Sequence, residues 1–163
     1  MIRILCAIGL RDGAELARRA LALTASQHEQ VDLTLLRVID SGPRATLRGA
    51  SGPRHFGPPP HPPAPPPRHS AEMDAADEAA GYTALAETLS AVSAAGVHAT
   101  TRLEIGKPEQ IIVAVAIETQ ADLIVLTARE RAANYPPSGP SSVGHVARFV
   151  LDHARCPVLL LRG

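Results

Sequence analysis

Five short runs dominated by Val, Ile and Leu recur along the chain, with helix-like stretches between them, and this alternation constrains the fold more than any other feature. The runs are "IRILCAI" (Ile2 to Ile8), "VDLTLLRV" (Val31 to Val38), "VHATTRLEI" (Val97 to Ile105), "DLIVLT" (Asp122 to Thr127) and "PVLLLR" (Pro157 to Arg162). The first, fourth and fifth are almost continuously apolar, as parallel strands covered on both faces must be. The third alternates apolar and polar residues, so it is expected nearer an edge. Strand and helix signals alternating in this way predict an α/β, three-layer sandwich: a five-stranded, parallel, doubly wound sheet with right-handed crossovers.

The stretches between the runs carry helix signals. Asp12 followed by Glu15 makes a capping-box pattern, and Leu16, Ala20 and Leu23 then fall on one face. The segment from Ala71 is Ala-rich, places Leu85, Leu89 and Val92 at helical spacing, and is expected to stop at Gly96. "KPEQIIVAVAIETQ" opens with Pro108 in its first turn and is apolar enough to be expected largely buried. "VGHVARFVLDHA" aligns Val143, Val146, Ala147, Val150, Leu151 and Ala154 in one stripe.

One segment breaks the pattern. Residues 41–70, "SGPRATLRGASGPRHFGPPPHPPAPPPRHS", hold ten of the fifteen prolines. Such a stretch buries too little apolar surface to offset its ordering entropy, so it is expected to be a flexible or polyproline-II insertion within a single domain, 1–163. Long loops cost little closure entropy, which favours a tolerated insertion. A ligand for a proline-recognising domain, or a weak metal site through His55, His61 and His69, is the functional alternative.

Composition removes several function classes. Sixteen basic and sixteen acidic residues cancel, so no strong field recruits nucleic acid or an anionic membrane. No stretch reaches the roughly 20 apolar residues that cross a bilayer, and the N-terminal run reads as a strand rather than a signal peptide. Cys6 and Cys156 both sit by apolar runs and are expected to be buried thiols, pointing to the cytoplasm. Lys107 is the only lysine and no GxxxxGK[ST] string occurs. No GxSxG elbow, HExxH pair or cysteine cluster is present. His98 and His153 read as surface residues, and Asp12, Glu15, Glu118 and Asp122 fall at caps or strand entries. No acid/base pair emerges, and the chain is expected not to be an enzyme.

The stretch "VLTARERAANYPPSGPSSVGHV", residues 125–146, leaves a strand-like run and enters a helix-like one. Strand-to-helix crossings of this kind are where open α/β sheets hold phosphates. Arg129 and Arg131 would favour an anion there, as would Ser141 or Ser142 as N-cap hydroxyls and His145 in the first helical turn.

The order of "IRILCAI", "VDLTLLRVID", the turn Gly106-Lys107-Pro108, "ADLIVLT" and "GHVARFVLDHARCPVLLL" resembles the universal stress protein family over residues 2–40 and about 80–163. The resemblance implies a Rossmann-like, adenine nucleotide alpha hydrolase-like sheet of order 3-2-1-4-5 and a homodimer joined through the last strand, 157–162. Some members bind ATP and others do not. Binders use an Asp after the first strand, which contacts adenine, and a G-x-x-G-x9-G-[S/T] motif after the fourth. Here Gly9 stands at the Asp position, and Thr127 and Glu130 at the first two glycines. Gly144 and His145 match the motif's end, after a loop about four residues longer than the family spacing. A second register places Ser141, Ser142 and Val143 there and asks for a longer helix. Ala7 and Val38 match positions that flank adenine. The expectation is therefore a stress-response protein acting by dimerisation and contact with an unidentified protein, with no cofactor. ATP or another adenine nucleotide modulating the dimer is the alternative. A phosphoryl-transferring or hydrolysing enzyme of the same fold is disfavoured by the lone lysine, the absent Asp and the altered glycines.

Overall fold

The computed structural model describes residues 1–24, 30–40, 71–128 and 143–162; the Pro-rich stretch 41–70 and residues 129–142 lie outside them. Along the chain run β1 (Ile2–Ala7), α1 (Gly13–Thr24), β2 (Val31–Asp40), α2 (Ala71–Ala94), β3 (Ala99–Gly106), α3 (Pro108–Glu118), β4 (Leu123–Thr127), α4 (His145–His153) and β5 (Val158–Leu161). The strands form one parallel sheet in the order β3-β2-β1-β4-β5. Both the architecture and the strand order expected from the sequence are met. The alternating third run lies at an edge, bonded to β2 alone among the described strands. Its strand starts at Ala99 rather than Val97, while β2 runs on to Asp40 because it pairs β3 as far as Gly106.

Period-two alternation sends successive residues of the central strands to opposite faces, and each face has its own core. Ile4, Cys6, Leu33, Leu35 and Val125 pack with Leu16, Ala17, Ala20 and Leu21 of α1 and Leu85 and Val92 of α2. Leu5, Leu36, Val38, Ile124 and Leu126 pack with Ile112, Val115 and Ala116 of α3 and Ala147 and Val150 of α4. These faces make three layers, with α1 against α2 on one side and α3 against α4 on the other.

The helix faces depart from expectation in detail. Leu23 is 55% exposed, and the buried stripe of α1 runs through Leu16, Ala17, Ala20, Leu21 and Thr24. Leu151 is likewise outward on α4. In α3 only Ile112, Val115 and Ala116 are fully buried, so that helix is half-covered rather than sequestered. The second long helix ends at Ala94, and Gly96 follows with φ +77°, as its expected stop requires. Both thiols are free. Cys6 is buried, and desolvation, reinforced by the Asp12 charge, pushes it up to about 12, whereas Cys156 is only half-buried. Among the described residues no helix is long and apolar enough to cross a membrane.

A clip ties β1 to β4 where the two strands begin. The Arg3 amide donates to Asp122 Oδ2 at 2.8 Å, and the Asp122 amide returns a bond to the Arg3 carbonyl at 2.8 Å. Arg3 Nε adds a contact at 3.4 Å. Bonds from the Arg3 backbone, then from its side chain, hold the Asp122 carboxyl below its ordinary pKa. A carboxyl with a lowered folded-state pKa contributes stability above its unfolded value, lost as pH falls through the folded one. Asp122→Asn is therefore expected to be less stable than wild type at neutral pH, with the gap closing in acid. A gap in urea midpoint that stays constant from neutral pH into the acid range would contradict this.

Candidate functional site

The order 3-2-1-4-5 reverses the direction of winding at β1. The chain leaves β1 through α1 on one face to reach β2, and enters β4 through α3 on the other, so the carboxyl ends of β1 and β4 open a crevice. A cavity of about 390 Å³ lies there, within the range of roughly 300–1,000 Å³ typical of small-molecule sites. Residues in the carboxyl-terminal halves of β1, β2 and β4 floor it with Ala7, Leu36, Val38 and Leu126, while Ile112 of α3 and Val146 and Ala147 of α4 wall it. Polar character enters at Arg37, Thr127, Gly144 and His145. A lining of that kind suits a largely apolar group with few polar handles.

The mouth is built from two helix beginnings. Gly144 is the N-cap of α4, with φ 95° and ψ 158°, and its carbonyl accepts the Arg148 amide at 3.0 Å. That backbone region is essentially restricted to glycine. The turn therefore demands Gly144 on its own account, whatever the crevice holds. Directly after it, His145 Nε2 stands 3.6 Å from Glu109 Oε1. Glu109 lies in the first turn of α3 behind Pro108, its side chain only 15% exposed, whereas that of His145 is 78% exposed. A carboxylate in the first turn of α3 gains from that helix's dipole.

The opposite rim carries Gly9 and Arg37. A Cβ on Gly9 would collide with Oδ1 of Asp12, so a carboxylate reaches this place from three residues further on. The Arg37 stem runs along Gly81 of α2, 3.6 Å from where a Cβ on that glycine would stand. Its Nε is buried without a hydrogen-bond partner. Burial pulls the Arg37 guanidinium below its ordinary pKa, against opposing pulls from Asp77 and Asp12.

Six of the nine residues singled out from the sequence, Ala7, Gly9, Val38, Thr127, Gly144 and His145, line this one crevice. Arg129, Arg131 and Ser142, with Glu130 and Ser141, lie outside the described residues. The N-cap falls to Gly144 rather than to either serine, and a nine-residue α4 beginning at His145 does not supply the longer helix that the second register needs. Sequence reasoning missed Leu36, Arg37, Glu109, Ile112 and Leu126. An arginine inside "VDLTLLRVID" was a usable signal, since a charge in a strand covered on both faces needs a reason. Glu109 gave none, because only the packing of α3 on α4 brings it to His145.

The universal stress protein family model matches residues 53–162, which is 110 of the 163 residues. The chain belongs to the universal stress protein family. Its fold is similar to that of a universal stress protein from Archaeoglobus fulgidus, at TM-score 0.63 and 18% identity over 98% of each chain. It is also similar to that of a family member from Burkholderia pseudomallei, at TM-score 0.60 and 24% identity over 98% of this chain and 94% of that one. The Archaeoglobus fulgidus protein in complex with dAMP (TM-score 0.62, 21% identity, 98% and 97% covered) and an Arabidopsis thaliana member with AMP bound (TM-score 0.58, 17% identity, 99% and 92% covered) share the fold. No curated protein sequence matches the chain significantly.

In this universal stress protein Gly144 is a structural requirement, so its replacement should register without any ligand. Gly144→Ala is expected to cost about 1–3 kcal/mol, read as a lowered midpoint in urea unfolding; an unchanged midpoint would contradict the backbone argument.

Proposed function

We propose that this universal stress protein acts in the stress response as a homodimer that works by protein contact, without binding or turning over ATP. The observation that carries the reading is what furnishes the crevice. Thr127 places a side chain where ATP-binding members have a bare glycine, and the carboxylate beside Gly9 comes from Asp12 rather than from the adenine-contacting position itself. Backbone amides approach phosphates closely only where no Cβ intervenes. Among the described lining residues the titratable side chains are Arg37 and His145, which do not make a nucleophile and base pair. A homodimer is supported by β5, which pairs β4 along one side and is an apolar edge, a feature that proteins usually cover.

A second reading, in which an adenine nucleotide modulates the dimer, is favoured by the open cavity and by the dAMP and AMP held in proteins of the same fold. Melting in millimolar Mg-ATP separates the two. A ligand at one hundred times its Kd adds about 2.7 kcal/mol to the folded state, several degrees in a domain of this size. No shift is expected; a clear rise would establish the second reading. Light scattering at micromolar concentration is expected to give twice the chain mass, and a monomer mass would contradict edge pairing.

A further inference from the structure

A second cavity opens at the other end of the sheet. The crevice lies at the carboxyl ends of the strands; this cavity, of about 280 Å³, lies where β4 and β5 begin, between the end of α3 and the turn that follows α4. Ala116, Ile117 and Ala121 give it apolar walls, and Gln120, Arg155 and Cys156 are its polar residues. Ile117 is 47% exposed, an aliphatic side chain that the chain's own packing leaves uncovered.

The polar residues offer mainly donors. Arg3 Nη1 donates to Gln120 Oε1 at 2.8 Å, so the side-chain oxygen is taken and the amide N–H groups are what remains. Gln120 follows the C-cap Thr119 with φ 51°, a position where glycine is usual. A glycine would fit that backbone better but would supply neither the Arg3 contact nor a donor to the cavity. Burial, then the Asp122 charge, raises the Cys156 thiol above its ordinary pKa, which keeps it protonated. A guanidinium has no acceptor, and that of Arg155 is exposed with no ion pair or hydrogen bond among the described residues. The carboxylates nearby are engaged elsewhere, Asp122 by Arg3 and Glu118 by Arg102 at 2.8 Å, and Asp152 at the end of α4 makes no ion pair with Arg155.

We propose that this cavity is a binding site for a small apolar carboxylic acid, its ring or short acyl body against Ala116, Ile117 and Ala121 and its carboxylate on Arg155 and the Gln120 amide. The site is separate from the crevice and does not depend on what the crevice binds. Apolar walls hold the body of such a ligand whatever its charge, whereas only the anion draws charge-assisted bonds from the guanidinium.

Phenylacetate and phenylethanol share a body and differ in that a hydroxymethyl replaces the carboxylate, so they serve as the probe pair. Titrations of the full-length protein followed by backbone amide NMR shifts report both the affinity and the place. The acid is expected to bind about tenfold more tightly than the alcohol, with the largest shifts at Gln120, Ala121 and Cys156. Arg155→Gln should bring the two within a few-fold and leave the alcohol unchanged, while Arg155→Lys, which keeps the charge, should retain most of the preference. Ala121→Leu, which fills the cavity, should weaken both. The proposal is overturned if wild type binds neither probe, as it would with a second copy of the chain lying over the cavity. It is equally overturned if acid and alcohol bind alike, if the shifts fall elsewhere, or if Arg155→Gln leaves the ratio unmoved. Arg155 is exposed, so its replacement leaves the core intact, and thermal unfolding without ligand verifies that each variant is folded.

Discussion

The structure depends on β1 being bonded along both edges and covered on both faces. All six of its residues pair β2 on one side and four, Ile4 to Ala7, pair β4 on the other, and Ile4, Leu5 and Cys6 are almost wholly inaccessible. Residues that tolerate such burial are apolar or small. Because β2 and β4 are reached over opposite faces, the same strand that anchors the sheet also fixes where the layers part. The crevice is a consequence of this topology, present before any residue is chosen to furnish it.

What the crevice can hold is decided by the furnishing. The apolar floor comes with the strands, since the residues that end β1, β2 and β4 toward α3 and α4 must be apolar to pack there. The polar rim is free to vary. Here Gly9 is overlain by Asp12, Thr127 ends β4 with a side chain, and Glu109 meets His145 where two helices begin. Each of these puts a side chain beside the open cavity. Gly144 persists because its turn has φ 95°, so the survival of that glycine speaks for the strand-to-helix turn and not for a ligand.

Much of the fold was legible in the sequence because burial on both faces leaves a continuous apolar run, and each run marked a strand to within two residues at its start. Edge and centre could be told apart by the alternation in the third run. Helix faces were less legible. Leu23 and Leu151 are apolar yet point outward, because an apolar stripe has some width and only the packing partner decides which of its members are covered. The crevice was legible at Ala7, Val38 and Thr127 through the resemblance to the family's motif positions. It was not legible at Glu109 or Ile112, which belong to a helix that reaches the site only through tertiary packing. The family match, over residues 53–162, begins after β2, so the first half of the crevice floor is placed by the fold and not by that match.

The most direct test of the central claim is a crystal structure grown in the presence of millimolar Mg-ATP. The account requires Glu109 to remain beside His145 with no ordered triphosphate at the start of α4. Well-ordered phosphates lodged against Gly144 and the first turn of α4, with the Glu109 carboxylate swung away, would contradict it.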